Sequence, residues 1–408
     1  MRLLLRPSLR CTLPPCDPYN QLAVDFRLTP DQQRLKDEAC TFLRAELGTD
    51  HDAEPSPMPP GYMPDRQFEL KLGAHGYLGT SWPVEYGGGG RPAIEQFIVE
   101  EEIALHGGTA SDSIARIIVA PILLAAGSES QKREYLPRLA RGEITFCLGY
   151  TEPESGSDLA SLQTRAIRDG DDYVINGRKV FTSGAESSEY CWLAARTDTN
   201  STKHAGISVF IVPMDPPGVH VRPLVNLLDE TWFNETLFDN VRVPVSERVG
   251  AENEGWKVLT SALGVERITI YRAFVHHRAL NALSQQTTHS ANGAEDTGHR
   301  QAIAQLQIDF EIARLLLQRA IQMHGHGVEY RARAAMCKLF NTELAQRLYL
   351  AGIASLGPYG YLLDGARAPW RGAMAHGYLS AAQDTIGAGT SEVQREIIAL
   401  RGLGLPRG

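Results

Sequence analysis

The chain has 408 residues, 43% hydrophobic and 22% charged, which is typical of a globular protein and excludes disordered, collagen-like and disulfide-scaffold classes. A formal net charge of -8 disfavours non-specific nucleic-acid binding. The longest apolar run, 117–127, contains Pro121 and is shorter than the ~20 residues that span a bilayer, so we expect no transmembrane helix. The 6 cysteines are widely spaced, which favours a reducing compartment and predicts neither a disulfide framework nor a metal site. The length suggests two or three domains, or one large one.

Residues 1–23 differ from the rest of the chain, because three arginines occur before the first acid, Asp17. Such a segment is compatible with a transit peptide, which would place the protein in the mitochondrial matrix. We favour the other interpretation, an N-terminal extension outside the fold of a bacterial cytoplasmic protein.

Three regions follow in chain order. Residues 24–145 are predicted to be helices joined by Gly/Pro loops, the first capped by Thr29 with Pro30 at its first position. Short β-rich runs occupy 146–250, and long amphipathic stretches occupy 251–408. This order predicts an α+β multidomain chain: an N-terminal α-helical domain, a middle antiparallel β-domain and a C-terminal helical bundle. The common GxGxxG and GxxxxGK[ST] nucleotide-binding loops are absent from the sequence.

The segment YTEPESGSD at 150–158 combines hydroxyl groups, a glycine and a proline next to a predicted strand. Its backbone N–H groups and hydroxyls can donate to an electron-rich, polar ligand edge. On composition alone, an ordinary hydrophilic connection is the simpler interpretation.

Together with NGRKVFTSG at 176–184, this segment resembles the flavin loop of the acyl-CoA dehydrogenase family, which has the form TEPxxGSD followed by NGxKxWIT(N/S)G. The resemblance keeps the family's order over residues 25 to 406. It includes WPVEYGGGG at 82–90, VEEEIALHGG at 99–108, GSESQKREYLPRLARGEITFCLGYTEP at 127–153, DNVRVP at 239–244, ENEGWKVLTSALGVER at 252–267 and IGAGTSEVQREIIALRGLGLP at 386–406.

The resemblance implies the acyl-CoA dehydrogenase fold, bound FAD and a set of residues bordering the flavin. Tyr150, Thr151 and Ser157 match the flavin loop, and Ser157 should also face the substrate. Phe181 matches the family's stacking tryptophan; the alternative is an aromatic residue of the strand core.

The motif is one residue short here, so either Thr182 or Ser183 matches the hydroxyl near flavin N5. Thr390 and Glu392, in the C-terminal GTSE segment, match positions at the distal part of FAD.

The catalytic base needs a separate assignment. Many family members carry it in a C-terminal YEGTSxIQ segment, but the matching residue here is Ala388. Glu266 is the alternative, because it shares an apolar helix face with Leu259 and Leu263, and burial there would raise the pKa of the carboxyl group. A minority of the family places the base at this L-x-x-E-R position. An ion pair with Arg267 or with a neighbouring helix is the structural alternative for Glu266.

Two further substrate contacts follow from the resemblance. Arg267 matches a family arginine near the substrate, although an exposed helix-face charge is an equally good interpretation. Ala388 keeps the backbone N–H that polarises the thioester carbonyl together with a flavin ribityl hydroxyl.

Three family contacts to distal FAD that come from a neighbouring subunit are altered. The RxxFG-type segment is replaced within 283–301, the QxLGG segment contains Ala354 and Pro358, and Glu392 replaces a glutamine. These changes suggest that different contacts bind the distal part of FAD. The resemblance also implies a homo- or hetero-oligomer, a dimer or a tetramer.

The resemblance therefore predicts an oxidoreductase, an acyl-CoA dehydrogenase of lipid β-oxidation. Glu266 takes the Cα proton of an acyl-CoA thioester while hydride passes from Cβ to flavin N5, and electrons go on to an electron-transferring flavoprotein. Long, branched or steroid-like acyl groups are compatible with a base on this helix. The alternatives are a non-catalytic or half-site subunit of a heteromeric enzyme, and a flavin-dependent oxidase or monooxygenase.

Overall fold

The computed structural model describes residues 26–48, 54–55, 57, 65–108, 114–260, 273–289 and 297–407. Over these ranges the fold class is the predicted one, with helical regions on either side of a β-sheet. The extension at 1–23 lies outside the described residues. The N-terminal helices are α1 (Pro30–Leu47), α2 (Arg66–Ala74), α3 (Ala93–Leu105), α4 (Ala120–Ala126) and α5 (Glu129–Ala140).

Helix α1 begins at the predicted signal. The Thr29 hydroxyl accepts from the Gln32 N–H at 3.2 Å, and the Gln32 side chain accepts from the Thr29 N–H at 3.0 Å. This reciprocal capping box satisfies two donors that a helix start leaves open, and Pro30 at the first position needs none. The predicted cap is therefore confirmed.

Helix α1 is tied to helix α3 by a buried polar contact. Glu102 on α3 accepts from the Cys40 thiol at 2.9 Å and pairs with the Lys36 ammonium at 3.1 Å. Burial and the Glu102 carboxylate raise the pKa of Cys40 to about 12, so it remains a neutral thiol. The four described cysteines are free thiols.

The sheet is antiparallel apart from two parallel pairings, β1 with β4 and β2 with β4. Its order is β6-β7-β3-β2-β4-β5-β8, with β1 paired to β4. The strands are β1 (Phe146–Gly149), β2 (Arg165–Asp169), β3 (Asp172–Lys179), β4 (Tyr190–Arg196), β5 (Ile207–Pro213), β6 (Val219–Leu224), β7 (Phe233–Pro244) and β8 (Arg248–Val249).

The two central strands β4 and β5 are buried on both faces, which explains their unbroken apolar sequences. One face, including Trp192 and Ile211, packs against helices α4 and α5. The other face, including Leu193 and Phe210, packs against β3 and β7. The edge strand β6 is mostly exposed.

The C-terminal region begins with helical residues 255–260 and continues after the sheet as a packed set of helices. These are α6 (His277–His289), α7 (Thr297–Gly325), α8 (Arg331–Leu356), α9 (Ala373–Asp384) and α10 (Ser391–Ile397). In the part of the chain that the structure describes, no helix has the length and apolarity needed to cross a membrane.

Candidate active site

The YTEPESGSD loop begins where β1 ends, and the structure brings it to the end of β3. The Val180 N–H donates to the Thr151 carbonyl at 2.9 Å. Tyr150 is buried, and its hydroxyl accepts from the Trp192 indole N–H at 3.1 Å. The two segments that the sequence analysis assigned to one site are therefore in direct contact.

A buried ion pair lies beneath this contact. The Lys179 ammonium lies 2.8 Å from the Glu152 carboxylate and also donates to the Tyr150 carbonyl at 3.0 Å. Burial works to raise the pKa of Glu152, but the Lys179 charge and hydrogen bonds from the 163–164 backbone outweigh it, so the net direction is down. Burial lowers the pKa of Lys179 against the opposing effect of Glu152. The side chains of Lys179 and Glu152 therefore hold each other in a fixed position.

The rest of the loop is a tight turn that leaves its tip accessible. Glu152 and Ser155 exchange two backbone hydrogen bonds of 3.0 Å, and the Ser155 hydroxyl donates to the Asp158 carbonyl at 2.8 Å. Gly156 and Ser157 are exposed as a result. The hydroxyl and backbone N–H of Ser157 are therefore free to face a ligand.

The residues after β3 present an aromatic ring to the surface. Phe181 is 60% exposed and has a φ of 57°, a left-handed conformation that is unusual for a bulky residue. Its ring meets that of Phe233 edge-on at 6.1 Å. The exposure contradicts the alternative of a strand-core aromatic. Backbone strain of this kind is concentrated at ligand sites.

The two candidate hydroxyls differ in accessibility. Thr182 is fully buried, and its N–H donates to the Asn234 carbonyl at 2.9 Å. Ser183 is partly exposed. Of these two residues, Ser183 is the one that a ligand can reach.

A third segment, 385–390, forms a loop in front of α10. Ala388 has a φ of 53° and is half-buried. The buried Gln394 side chain donates to the carbonyls of Ala388 at 3.2 Å and Gly389 at 2.9 Å. Thr390 caps α10, with its hydroxyl accepting from the Val393 N–H at 3.3 Å. These bonds fix the peptide groups on both sides of Gly389.

Glu392 is exposed in the first turn of α10. Its own backbone N–H and the Thr390 hydroxyl hold the pKa of the Glu392 carboxyl below its usual range. Glu392 therefore carries a negative charge that is directed to the helix N-terminus. The predicted base Glu266 and its neighbour Arg267 lie outside the described residues.

The altered segment after α8 is a turn with exposed aromatics. Helix α8 ends two residues after Ala354, and Pro358 lies in the 3-10 turn Gly357–Tyr361. Tyr359 and Tyr361 are 52% and 72% exposed. The exposed tyrosine rings thus follow directly after Ala354 and Pro358, the residues that replace Gln and Gly of the family's pattern.

Sequence reasoning missed the roles of Lys179, Glu152 and Gln394. For Lys179 a signal was present, because Tyr173, Ile175 and Lys179 share one strand face by the period of two. A lysine on an apolar face predicts a buried acidic partner. No comparable signal marked Gln394.

Comparison with known proteins agrees with this architecture between residues 29 and 403. Family models described as the N-terminal, middle and C-terminal domains of acyl-CoA dehydrogenase match residues 29–143, 147–241 and 253–403. The chain belongs to the acyl-CoA dehydrogenase family. As a member, it is an oxidoreductase of the acyl-CoA dehydrogenase type, with a flavin cofactor.

Similar relatives are bacterial. Acyl-CoA dehydrogenase FadE29 of Mycobacterium tuberculosis is 36% identical over 389 residues, covering 93% of this chain and 98% of that protein. Acyl-CoA dehydrogenase FadE26 of the same organism is 35% identical over 398 residues, with the same coverage of 93% and 98%.

Solved structures share the fold. The Tcur3481-Tcur3483 steroid ACAD is 34% identical with a TM-score of 0.85, covering 94% of this chain and 100% of that one. The ChsE4-ChsE5 complex from Mycobacterium tuberculosis is 32% identical with a TM-score of 0.80 and the same coverage of 94% and 100%.

The described residues fit a flavin. An exposed aromatic ring at Phe181 can lie against a planar ring system, and the accessible Ser157 and Ser183 hydroxyls can bond to its polar edge. Two other predicted contact residues, Tyr150 and Thr182, have buried side chains.

Proposed function

We propose that the chain catalyses FAD-dependent α,β-dehydrogenation of an acyl-CoA thioester. The observation that carries the proposal is the junction of the YTEPESGSD loop with the end of β3, where Phe181 is exposed on strained backbone beside accessible hydroxyls. FAD, when bound, supplies the hydride acceptor. Tyr150, Thr151, Ser157, Phe181, Thr390 and Glu392 are its proposed contacts, with either Ser183 or Thr182 as the hydroxyl near flavin N5.

In this proposal Glu266 removes the Cα proton. The support is the alanine at position 388, which cannot accept a proton, together with the L-x-x-E-R pattern around Glu266. Ser157 and Arg267 border the substrate.

The Ala388 N–H stabilises the charge that develops on the thioester oxygen when the proton leaves. A donor that is already aligned does this at little cost in reorganisation. Gly387 N–H is held by the Gln383 carbonyl at 2.9 Å on one side, and Gln394 holds the carbonyl of Ala388 on the other. The loop is therefore ordered for this role.

Purified protein mixed anaerobically with a panel of acyl-CoA esters tests the reaction. We expect at least one ester to bleach the visible flavin absorbance, and Glu266→Gln to retain flavin but lose bleaching. Bleaching by Glu266→Gln at the wild-type rate would refute the base assignment.

The acyl group that we propose is bulky and steroid-like. The support is the solved neighbour titled a steroid ACAD, which shares 34% identity with this chain. A panel that contains a steroid-side-chain CoA ester and straight-chain esters of several lengths separates the alternatives. Preference for a straight-chain ester would contradict this part of the proposal.

We further propose that FAD is completed by a partner chain and that electrons pass to an electron-transferring flavoprotein. Support for the partner comes from the altered segment around Ala354 and Pro358 and from similarity to a solved complex of two named chains. A half-site subunit without its own turnover remains the second candidate on the same observation. The amount of FAD bound per chain, measured on the isolated protein and with candidate partners, tests the partner chain and the half-site subunit. Full FAD occupancy in the isolated protein would contradict both of these proposals.

A further inference from the structure

The sheet has an interruption beside the YTEPESGSD loop. Strand β1 pairs with 190–193 of β4, whereas β2 reaches β4 only at Arg196. Between Gly149 and Arg165 the chain leaves the sheet and returns. Glu152 fills the interruption, because its carboxylate accepts from the backbone N–H groups of Gln163 at 2.6 Å and Thr164 at 2.9 Å.

The cation that balances this carboxylate comes from β3. Lys179 is fully buried and Glu152 is 6% exposed. Burying two charges costs several kcal/mol per ion, so a buried pair is weak support for stability and better support for a defined arrangement. We therefore ask which part of the backbone the ion pair of Lys179 and Glu152 holds in place.

What it positions is the start of the flavin loop. Lys179 holds the Tyr150 carbonyl at 3.0 Å, and the neighbouring Val180 N–H holds the Thr151 carbonyl at 2.9 Å. In a planar trans peptide the N–H points opposite to the carbonyl. Fixing the Tyr150 carbonyl toward Lys179 therefore directs the Thr151 N–H away from it.

We propose that Lys179 and Glu152 are a positioning pair for the flavin, which fixes the Tyr150–Thr151 peptide group in its binding orientation. The inference rests on the proposed use of FAD. Neither side chain touches the flavin in this account, so both act through the backbone that they hold.

A double-mutant cycle tests the pair. Lys179→Met and Glu152→Gln are made singly and together, and FAD affinity is measured by titration of the flavin-free proteins. We expect each single variant to raise the Kd for FAD about tenfold or more, because each leaves a buried partner unpaired. The double variant should raise it less than the product of the two single effects.

The visible absorption spectrum of the bound flavin separates positioning from a general loss of stability. At saturating FAD, both single variants should show a shifted and less structured spectrum. Glu100→Gln is the matched control, since Glu100 pairs with Arg116 at 3.2 Å in another buried ion pair of the N-terminal region. It should change thermal stability and leave the spectrum unchanged.

The outcomes are distinct. Wild-type spectra and FAD affinities in folded single variants, or strictly multiplicative effects in the cycle, would overturn the positioning pair while leaving the proposed function standing. If the single variants do not fold, the neutral double variant decides: a wild-type spectrum and affinity in it would equally overturn the proposal. Failure of the wild-type protein to bind FAD, both alone and together with candidate partner chains, would overturn both.

Discussion

The side-chain amide of Gln394 donates to the carbonyl of Ala388 at 3.2 Å, from the first turns of the helix that follows the loop. A second bond from the same nitrogen reaches the Gly389 carbonyl at 2.9 Å. Because Gln394 is fully buried, these bonds exclude water and hold Ala388 in its left-handed conformation. Gln394 therefore fixes the loop whose Ala388 N–H should polarise the thioester carbonyl.

Replacing Gln394 by leucine should lower kcat by about ten- to a hundredfold. An aligned oxyanion donor raises kcat by about a hundredfold or more, and much of this increase should disappear when the donor is no longer aligned. FAD content should stay near the wild-type value. Steady-state kinetics together with flavin absorbance measures both. Gln318→Leu is the matched control, because Gln318 is a buried glutamine on a different helix, α7. This variant should keep kcat within about twofold. An unchanged kcat in Gln394→Leu would contradict the role of this loop in polarising the thioester carbonyl.

Glu266→Gln should lower kcat by about a thousandfold, within the range of about a hundred- to ten-thousandfold for general-base catalysis. The amide has nearly the shape of the carboxylate, so substrate binding should persist. Single-turnover reduction of the flavin by substrate measures the step directly. Glu254→Gln, an exposed carboxylate in the segment leading to the same region, should react like wild type.

Phe181→Gly should separate stability from binding. Glycine relieves the left-handed φ of 57°, so the flavin-free protein should gain up to about 1 kcal/mol of unfolding free energy. FAD affinity should fall up to about tenfold, because the ring contact is lost. Phe181→Ala should show the weaker binding without the gain in stability. Urea unfolding and FAD titration give the two quantities; equal FAD affinity in all three proteins would contradict a stacking role.

The buried His276 predicts a loss of stability in acid. Burial lowers the pKa of His276 from 6.5 to about 4, and its Nδ1 lies 2.9 Å from the Tyr349 hydroxyl. Below pH 6.5 the unfolded chain binds a proton that the folded chain does not, so stability falls as the pH drops from 6.5 toward 4.

The contribution is up to about 3 kcal/mol, at about 1.4 kcal/mol per pKa unit. Urea unfolding of wild type and His276→Gln at pH 7.5 and pH 4 measures it. The variant should lose less stability on acidification, whereas His220→Gln, on the exposed edge strand, should follow wild type. Parallel losses in wild type and His276→Gln would contradict the prediction.

Local signals in the sequence predicted the local structure well. Thr29 and Pro30 marked the start of α1, and the β-rich runs within 146–250 marked the region that forms the sheet. The parallel pairing of β1 with β4 was beyond such reasoning, because it joins segments more than forty residues apart without a turn between them. Strand patterns indicate which face is buried and do not specify the neighbour.

The candidate site divides in the same way. Ser157 and Phe181 were assigned through the resemblance to the family's motifs, because composition alone favoured an ordinary hydrophilic connection. The roles of Lys179 and Gln394 required the fold, because a buried charge or amide is interpretable only once its partners are known. In the 385–390 loop, Ala388 takes the left-handed conformation although glycines flank it on both sides.

Anaerobic reduction of the FAD-loaded protein by an acyl-CoA ester tests the central claim most directly. The account predicts that a matching ester bleaches the flavin, that the α,β-unsaturated thioester is formed in equal amount, and that Glu266→Gln abolishes both. A fully loaded protein whose flavin stays oxidised with every ester, straight-chain and steroid-like alike, would contradict it.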